Sequence, residues 1–313
     1  MKIVSLLPSA TEIVCALGLE DSLVGITHEC DFPVNIADRP ALTASRISHE
    51  TMSSLEIDHA VRRQLDGHGS IYDLDTAKLE SLKPDLILTQ ELCDVCAVSY
   101  KTVLKAAKMY VADAQVVSLE PNTIDDIFEN IKTIGELAGI ANRAEKLVDE
   151  LQDRLGSIRK RIDESVPASQ RPRTFMLEWL EPPFAPGHWV PEQVAIAGGT
   201  VLLGEAGKPS VTTTFEAIRE SNPEVMVLIP CGYYTHDILR QLEFTNFPTN
   251  WREIDAVKND QVWALDATSY FSRPGPRIVD GVEILAKILH PDIFGEPKDL
   301  EAVRVPLDLL NFT

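Results

Sequence analysis

Two stretches far apart in the chain share one design. "LESLKPDLILTQ" (79–90) and "IRESNPEVMVLIP" (218–230) each run from a helix end through a polar residue, a proline and an acid into a short apolar run. Pro84 and Pro223 stop the helices, because the residue before a proline is pushed out of the α region. Leu86-Ile-Leu88 and Val225-Met-Val-Leu-Ile229 then have the unbroken apolar character of strands buried on both faces. The beginnings of the halves correspond too. Residues 2–7 read as a strand leading through Pro8 to a helix that ends near Gly18, followed by a strand over 23–27. Residues 174–180 read as a strand leading through a Pro-rich loop to the helix "PEQVAIAGG", ending at Gly198-Gly199 with a C-cap glycine. A chain that repeats a parallel α/β unit in this way is an α/β protein, and its 313 residues suffice for two lobes of common size.

Between the halves, Ile124, Ile127, Phe128, Ile131, Ile134 and Leu137 follow helical spacing. After Gly139 a second series, Leu147, Leu151, Leu155, Ile158 and Ile162, continues it with charges on the other face. The expected architecture is two similar α/β lobes joined by a long helical rod, with a ligand cleft between the lobes. Its divisions are an N-terminal α/β lobe (1–121), connecting helices (122–166), a C-terminal α/β lobe (167–290) and a surface-packed tail (291–313).

The balance of 29 basic against 48 acidic residues gives a net charge of −19, which repels phosphate backbones and argues against nucleic-acid binding. No apolar run reaches the ~18 residues of a membrane span, so no membrane insertion is expected. The N-terminus resembles a signal peptide superficially, but Glu12 interrupts its apolar stretch, and Ser9-Ala-Thr-Glu12 has the pattern of a capping box that opens a helix. Together with five cysteines, an odd number, this points to a reducing, cytoplasmic compartment.

Ligands of parallel α/β sheets sit beyond the carboxyl ends of the strands. That rule selects residues 28–31, 90–96, 182–189, 231–234 and 266–277, loops unusually rich in Cys, His, Trp and Tyr. Catalytic templates are missing: no GxSxG, GxxxxGK[ST], HExxH or complete GxGxxG occurs. A non-catalytic protein is therefore expected.

"KIVSLLPSATEIVCALGLEDSLVGITHECDFP", "LKPDLILTQ", "PPFAPGHWVPEQVAIAGG" and "YFSRPGPRIVDGVEIL" resemble the substrate-binding proteins of ABC importers for cobalamin and ferric siderophores, nearest the cobalamin-binding branch. The likeness runs from about Ile3 to His290. It implies two Rossmann-like lobes joined by a long rigid helix, a corrinoid or similar metal chelate as ligand, no required cofactor, and an ABC permease as a possible partner. Where that family lines its cleft with aromatic residues this chain has Glu29, Gln90 and Ser210. Of two carboxylates that dock the family protein on its transporter, one corresponds to Glu216 and the other to Ala77.

Cys93 and Cys96 stay open to three readings. They can form a three-ligand metal site with His28 or Cys30, a redox couple, or part of the cleft wall packed against ligand or protein. A metal-binding or redox protein on the same fold is accordingly one alternative function, and an importer component whose start is mis-assigned is another. His28 and His188 are candidate ligands of a chelated metal, or histidines bonded to loop carbonyls. His188 is flanked by Gly187 and by Trp189, a flat stacking surface. Tyr233, Tyr234, Tyr270 and Phe271 offer further ring faces or ordinary packing, and Arg273 can bond a ligand amide or carboxylate. Glu29, Gln90 and Glu91 complete the expected ligand-binding set. His49, His59 and His68 fall in a polar insertion, read as an extra loop or short helix, and are expected at the surface.

Overall fold

The computed structural model, which describes residues 1–45, 47, 51–66, 72–90 and 100–313, divides into two units. Unit 1 comprises Met1–Ser48, His59–Pro121 and Asp125–Asp149; unit 2 comprises His49–Asp58, Asn122–Ile124 and Glu150–Thr313. Along the first half the elements are β1 (Ile3–Ser5), α1 (Pro8–Ala16), β2 (Leu23–Gly25), β3 (Thr43–Ser45), α2 (Ser54–Asp66), β4 (Tyr72–Leu74), α3 (Thr76–Leu82), β5 (Leu86–Thr89), α4 (Tyr100–Tyr110), β6 (Gln115–Ser118) and α5 (Ile124–Leu137). The sheet of unit 1 has the order β2-β1-β5-β6, all parallel. Val4, Leu6, Ile87, Leu79 and Val103 pack into its core, as expected of strands covered on both faces. β3 and β4 form a separate antiparallel ribbon, with Thr43 opposite Leu74 and Ser45 opposite Tyr72.

The second half begins with α6 (Ala141–Ser165) and continues through β7 (Arg173–Leu177), β8 (Phe184–Ala185), α7 (Val190–Ile196), β9 (Thr200–Val201), β10 (Val211–Thr212), α8 (Phe215–Ser221), β11 (Val225–Leu228), α9 (Thr235–Leu242), α10 (Asp255–Lys258), β12 (Val262–Leu265), α11 (Ala267–Tyr270), α12 (Ile278–Leu289) and β13 (Ala302–Arg304). Its main sheet has the order β13-β12-β11-β7-β9. Leaving β13 aside, this is the strand order of unit 1, and β8 with β10 forms a second small antiparallel ribbon.

The internal echo extends to the details of the chain. α3 is capped by Asp75, which accepts from Lys78 N at 2.9 Å, and α8 by Thr214, which accepts from Ala217 N at 3.0 Å. Each helix ends in a left-handed residue before the proline, Lys83 (φ 49°, ψ 63°) and Asn222 (φ 43°, ψ 67°). The acid after each proline then does the same work. Asp85 Oδ2 accepts the backbone N–H of Lys2 at 2.6 Å, and Glu224 Oε2 accepts that of Arg173 at 2.9 Å. Asp85 N donates to Lys2 O and Glu224 N to Arg173 O, so both sides of the entry to β1 and β7 are tied to the neighbouring strand.

Four sequence expectations meet a different local structure. α1 starts two residues earlier than the Ser9 capping box implied, with Leu7 as N-cap and no side-chain cap. Pro8 at the first helical position has a preset φ and no N–H to satisfy, which makes the cap dispensable; Thr11 Oγ1 turns back to Leu7 O at 3.4 Å. A reciprocal box occurs instead at Ser53–Glu56: Ser53 N donates to Glu56 Oε2 at 2.8 Å and Glu56 N to Ser53 Oγ at 3.3 Å. It opens α2, so the polar insertion contains a helix of 13 residues. The buried stripe of α6 runs through Ala144, Val148, Leu151, Leu155, Ile158 and Ile162, leaving Leu147 at its margin. Finally, the tail is not merely laid on the surface: β13 pairs antiparallel with β12, with Trp263 opposite Arg304, whose guanidinium lies 4.7 Å from the indole centroid.

α6 has 25 residues, a length of ~37 Å at 1.5 Å per residue. The expected C-cap of α7 is present at Gly198, with φ +87°. A Cβ there would lie 2.6 Å from His290 Nε2 and 2.9 Å from Ile162.

Removing either strand-entry carboxylate, as Asp85→Ala or Glu224→Ala, is expected to lower unfolding free energy by ~1–2 kcal/mol, the worth of a hydrogen bond to a charged group. Urea titration with an unchanged slope checks this; unchanged midpoints in both variants would show that the ties contribute nothing.

Candidate functional site

In a sheet of this order the chain changes direction between the first and third strands, and ligands bind beyond the strand ends at that point. In unit 1 the place is marked by the ends of β1 and β5, in unit 2 by those of β7 and β11.

On unit 1, the chain leaving β2 is gripped by the segment that leads to β3. Ile26 N donates to Pro40 O and Leu42 N to Ile26 O, which sets Thr43 against Thr27 and His28. The Thr43 hydroxyl oxygen lies 2.7 Å from Thr27 Oγ1 and 2.7 Å from His28 Nδ1, and it accepts the backbone N–H of His28 at 3.1 Å. Tyr72, across the ribbon, packs its ring 5.7 Å from that of His28 and donates its hydroxyl to Glu29 Oε1 at 3.0 Å. The same carboxylate oxygen stands 3.9 Å from His28 Nε2. Cys30 Sγ is paired with Thr11 Oγ1 at 3.0 Å. Gln90, directly after β5, is buried.

On unit 2, Glu178 follows β7. Its carboxylate accepts from Ser210 Oγ and, at 3.2 Å, from Gly187 N. Removal from water outweighs both bonds and pushes the Glu178 carboxyl up to about 7. The neighbouring loop is closed tightly: His188 N donates to Lys208 O at 2.6 Å and Gly207 N to His188 O at 2.9 Å. Gly187 is required there, since a Cβ would fall 2.2 Å from Ser210 N. His188 is held at φ 50°, its Nδ1 is buried without a hydrogen-bond partner, and burial holds its imidazole below the usual pKa. Burial therefore favours the neutral ring.

The predicted aromatic residues serve mostly as a packed support in unit 2. Trp189, Tyr233 and Phe271 are 6%, 1% and 2% exposed, and Trp189 Nε1 donates to Phe271 O at 2.8 Å. Tyr233 meets Trp179 edge-on at 5.5 Å, and Trp179 Nε1 donates to Ser54 O at 3.2 Å. Arg273 is also buried, whereas Tyr270 is half-buried, with a hydroxyl pKa raised by burial. Glu216 stands exposed in the first turn of α8 and pairs with Arg219; Ala77 holds the equivalent place in α3. His59 is exposed on α2. Glu91, Cys93, Cys96, His49 and His68 lie outside the described residues. Among the described residues no group of three or more His, Cys, Asp or Glu is placed to hold a metal.

Sequence reasoning overlooked Thr27, Thr43, Tyr72 and Trp179. Trp179 was within reach of the strand-end rule, because it lies two residues beyond β7. The threonines gave no signal, since their partnership depends on the pairing of residues 40–43 with residues 26–28.

The chain matches the family model for "Periplasmic binding protein" over residues 3–268. It belongs to that family. A vitamin B12-binding protein of Vibrio cholerae serotype O1 is 26% identical, over 90% of this chain and 86% of that protein. An uncharacterized ABC transporter substrate-binding lipoprotein of Bacillus subtilis is 27% identical, covering 94% of this chain and 82% of its own. Among solved structures, the periplasmic vitamin B12 binding protein BtuF of Vibrio cholerae superposes with a TM-score of 0.63 at 25% identity, over 92% of this chain and 96% of that one. Family membership accounts for the two α/β units and their shared strand order.

The raised Glu178 pKa has a definite sign in stability. Its folded value lies above the unfolded one, so its contribution is fully present below the unfolded pKa of ~4.3 and is lost as pH rises through about 7. Glu178→Gln, which keeps an acceptor for Gly187 and a polar partner for Ser210, is expected to gain on the order of 2 kcal/mol relative to wild type between pH 5 and pH 8. Urea unfolding at the two pH values measures the difference; equal wild-type and variant pH profiles would refute the desolvated carboxyl.

Proposed function

We propose that this chain is a non-catalytic binding protein for a corrinoid or a related metal chelate. The observation that carries the reading is the likeness to a vitamin B12-binding protein, which runs through 90% of this chain and 86% of that protein. The chemistry of the strand edges supports it. The polar groups there are bonded to one another, as in the Glu178–Ser210–Gly187 and Thr27–Thr43–His28 sets, which holds each set in a defined arrangement. Cys15 fits the same picture, because burial and the carboxylates of Glu20 and Glu12 push its thiol up to about 11 and keep it protonated at neutral pH.

In this reading His28, Glu29 and Gln90 of unit 1 and His188, Tyr270 and Arg273 of unit 2 supply ligand contacts. Trp189, Tyr233 and Phe271 hold the unit 2 loops in place. His188, whose imidazole burial holds below its usual pKa, is the unit 2 candidate to ligate a chelated metal. An ABC permease is the partner that the lipoprotein relative suggests, with Glu216 on the docking face.

Titrating the protein with aquocobalamin tests the function. A saturable absorbance shift complete at about one equivalent is expected, and His188→Ala should abolish its ligation-dependent part. Absence of both a shift and a calorimetric binding signal would overturn the corrinoid reading.

A further inference from the structure

The hydroxyls around His28 determine which of its ring nitrogens carries the proton. A threonine hydroxyl has one proton and two lone pairs. Thr43 Oγ1 has three neighbours: the His28 backbone N–H at 3.1 Å, Thr27 Oγ1 at 2.7 Å and His28 Nδ1 at 2.7 Å. The backbone N–H occupies one lone pair, which leaves one lone pair and the proton for the other two. Thr27 is buried, and its hydroxyl has no nearer acceptor than Thr43, since His28 Nδ1 is 3.4 Å away.

Two arrangements are then possible. If Nδ1 carried the proton, it would donate to Thr43, Thr43 would donate to Thr27, and the buried Thr27 proton would have no acceptor. If Thr27 donates to Thr43 and Thr43 donates to Nδ1, both buried hydroxyl donors are used. A buried donor left unmade is costly enough to select the second arrangement. In it the proton of the neutral ring is on Nε2, facing Glu29 Oε1 at 3.9 Å.

We infer that Thr27 and Thr43 form a hydroxyl relay that fixes His28 as a hydrogen-bond donor at Nε2, directed at a neutral acceptor such as an amide carbonyl of the ligand. This deepens the proposed ligand site of unit 1 and rests on it for the identity of the acceptor. It departs from the expectation that His28 ligates a metal, because the neutral ring then has no free lone pair at Nε2. The Glu29 carboxylate beside that nitrogen disfavours an anionic acceptor.

The tautomer is measured without any ligand, by long-range ¹H–¹⁵N correlation at pH 8.5, with the His28 signals assigned by their absence in His28→Gln. The Nε2–H pattern is expected in the wild type. Thr27→Val, which leaves Thr43 with Nδ1 as its one acceptor, should keep the Nε2–H pattern, and the double variant Thr27→Val/Thr43→Val, which removes both hydroxyls, should populate the Nδ1–H form. Should the double variant fail to fold, the wild-type and Thr27→Val spectra carry the test. An Nδ1–H pattern in the wild type overturns the relay.

The role is measured with aquocobalamin, whose axial water exchanges, and cyanocobalamin, whose axial position cyanide blocks. His28→Ala should weaken both by roughly tenfold, the worth of one good hydrogen bond, while His28→Gln, which keeps an N–H donor, stays within about threefold of wild type. Loss confined to aquocobalamin would make His28 a metal ligand and overturn the donor role. If neither corrinoid binds the wild type while the Nε2–H pattern is present, the relay stands and the corrinoid reading falls.

Discussion

A carboxylate accepting one backbone N–H at the mouth of a strand organises each unit. Asp85 holds Lys2 and Glu224 holds Arg173, and in both cases the acid follows a proline that has just ended a helix. The proline fixes where the helix stops, and the left-handed residue before it turns the chain toward the sheet. The acid then fixes register: Ile3 comes to lie opposite Leu86, and Thr174 opposite Val225. In a parallel sheet a one-residue slip would carry every buried side chain to the other face. Everything at the far ends of these strands, including Gln90 and Glu178, is placed by that choice at their beginnings.

The features written in local sequence were the ones legible from it. The paired Pro-acid stretches, the strands behind them, the helix of residues 141–165 and the glycine at 198 follow from propensity, periodicity and the demand for a positive φ, all of which act within a few residues. The features that were missed or left open depend on partners far along the chain. β13 is a strand because β12 offers it an unpaired edge, and its own residues do not announce one. Trp189, Tyr233 and Phe271 were placed on the right loops, but a loop residue has no periodicity to say which way it faces. The indole N–H of Trp189 turns inward because it finds the Phe271 carbonyl, a partner 82 residues away. Thr43 is the clearest case, a small residue with no motif that nevertheless touches three atoms of Thr27 and His28.

The two strand edges use different electrostatic means. On unit 1, hydroxyls orient an imidazole, so polarity is fixed by counting protons and lone pairs. On unit 2, desolvation holds the Glu178 carboxyl near neutrality, and with it the direction of the hydrogen bond to Ser210 becomes variable. An ionised carboxylate only accepts, so Ser210 must donate; a protonated carboxyl has its own proton to give, and Ser210 can then turn its hydroxyl elsewhere.

That variability matters because Ser210, Glu29 and Gln90 stand where the family resemblance puts aromatic side chains. An aromatic wall recognises a flat ligand by area and is indifferent to the polarity of the ligand's rim. Hydroxyl, carboxyl and amide groups in those places give up that area, and each stabilises a ligand only where it meets a complementary donor or acceptor. The cost of an unmatched buried polar group makes such a surface discriminating, because a ligand of the right shape but the wrong rim loses more than it gains. Tight hydrogen bonding among the site's own groups, from Thr27 to His28 and from Gly187 to Glu178, keeps those groups oriented before a ligand arrives. Under the proposed function, selectivity among chelates of similar size rests on the pattern of their peripheral amides and carboxylates more than on the area of the ring.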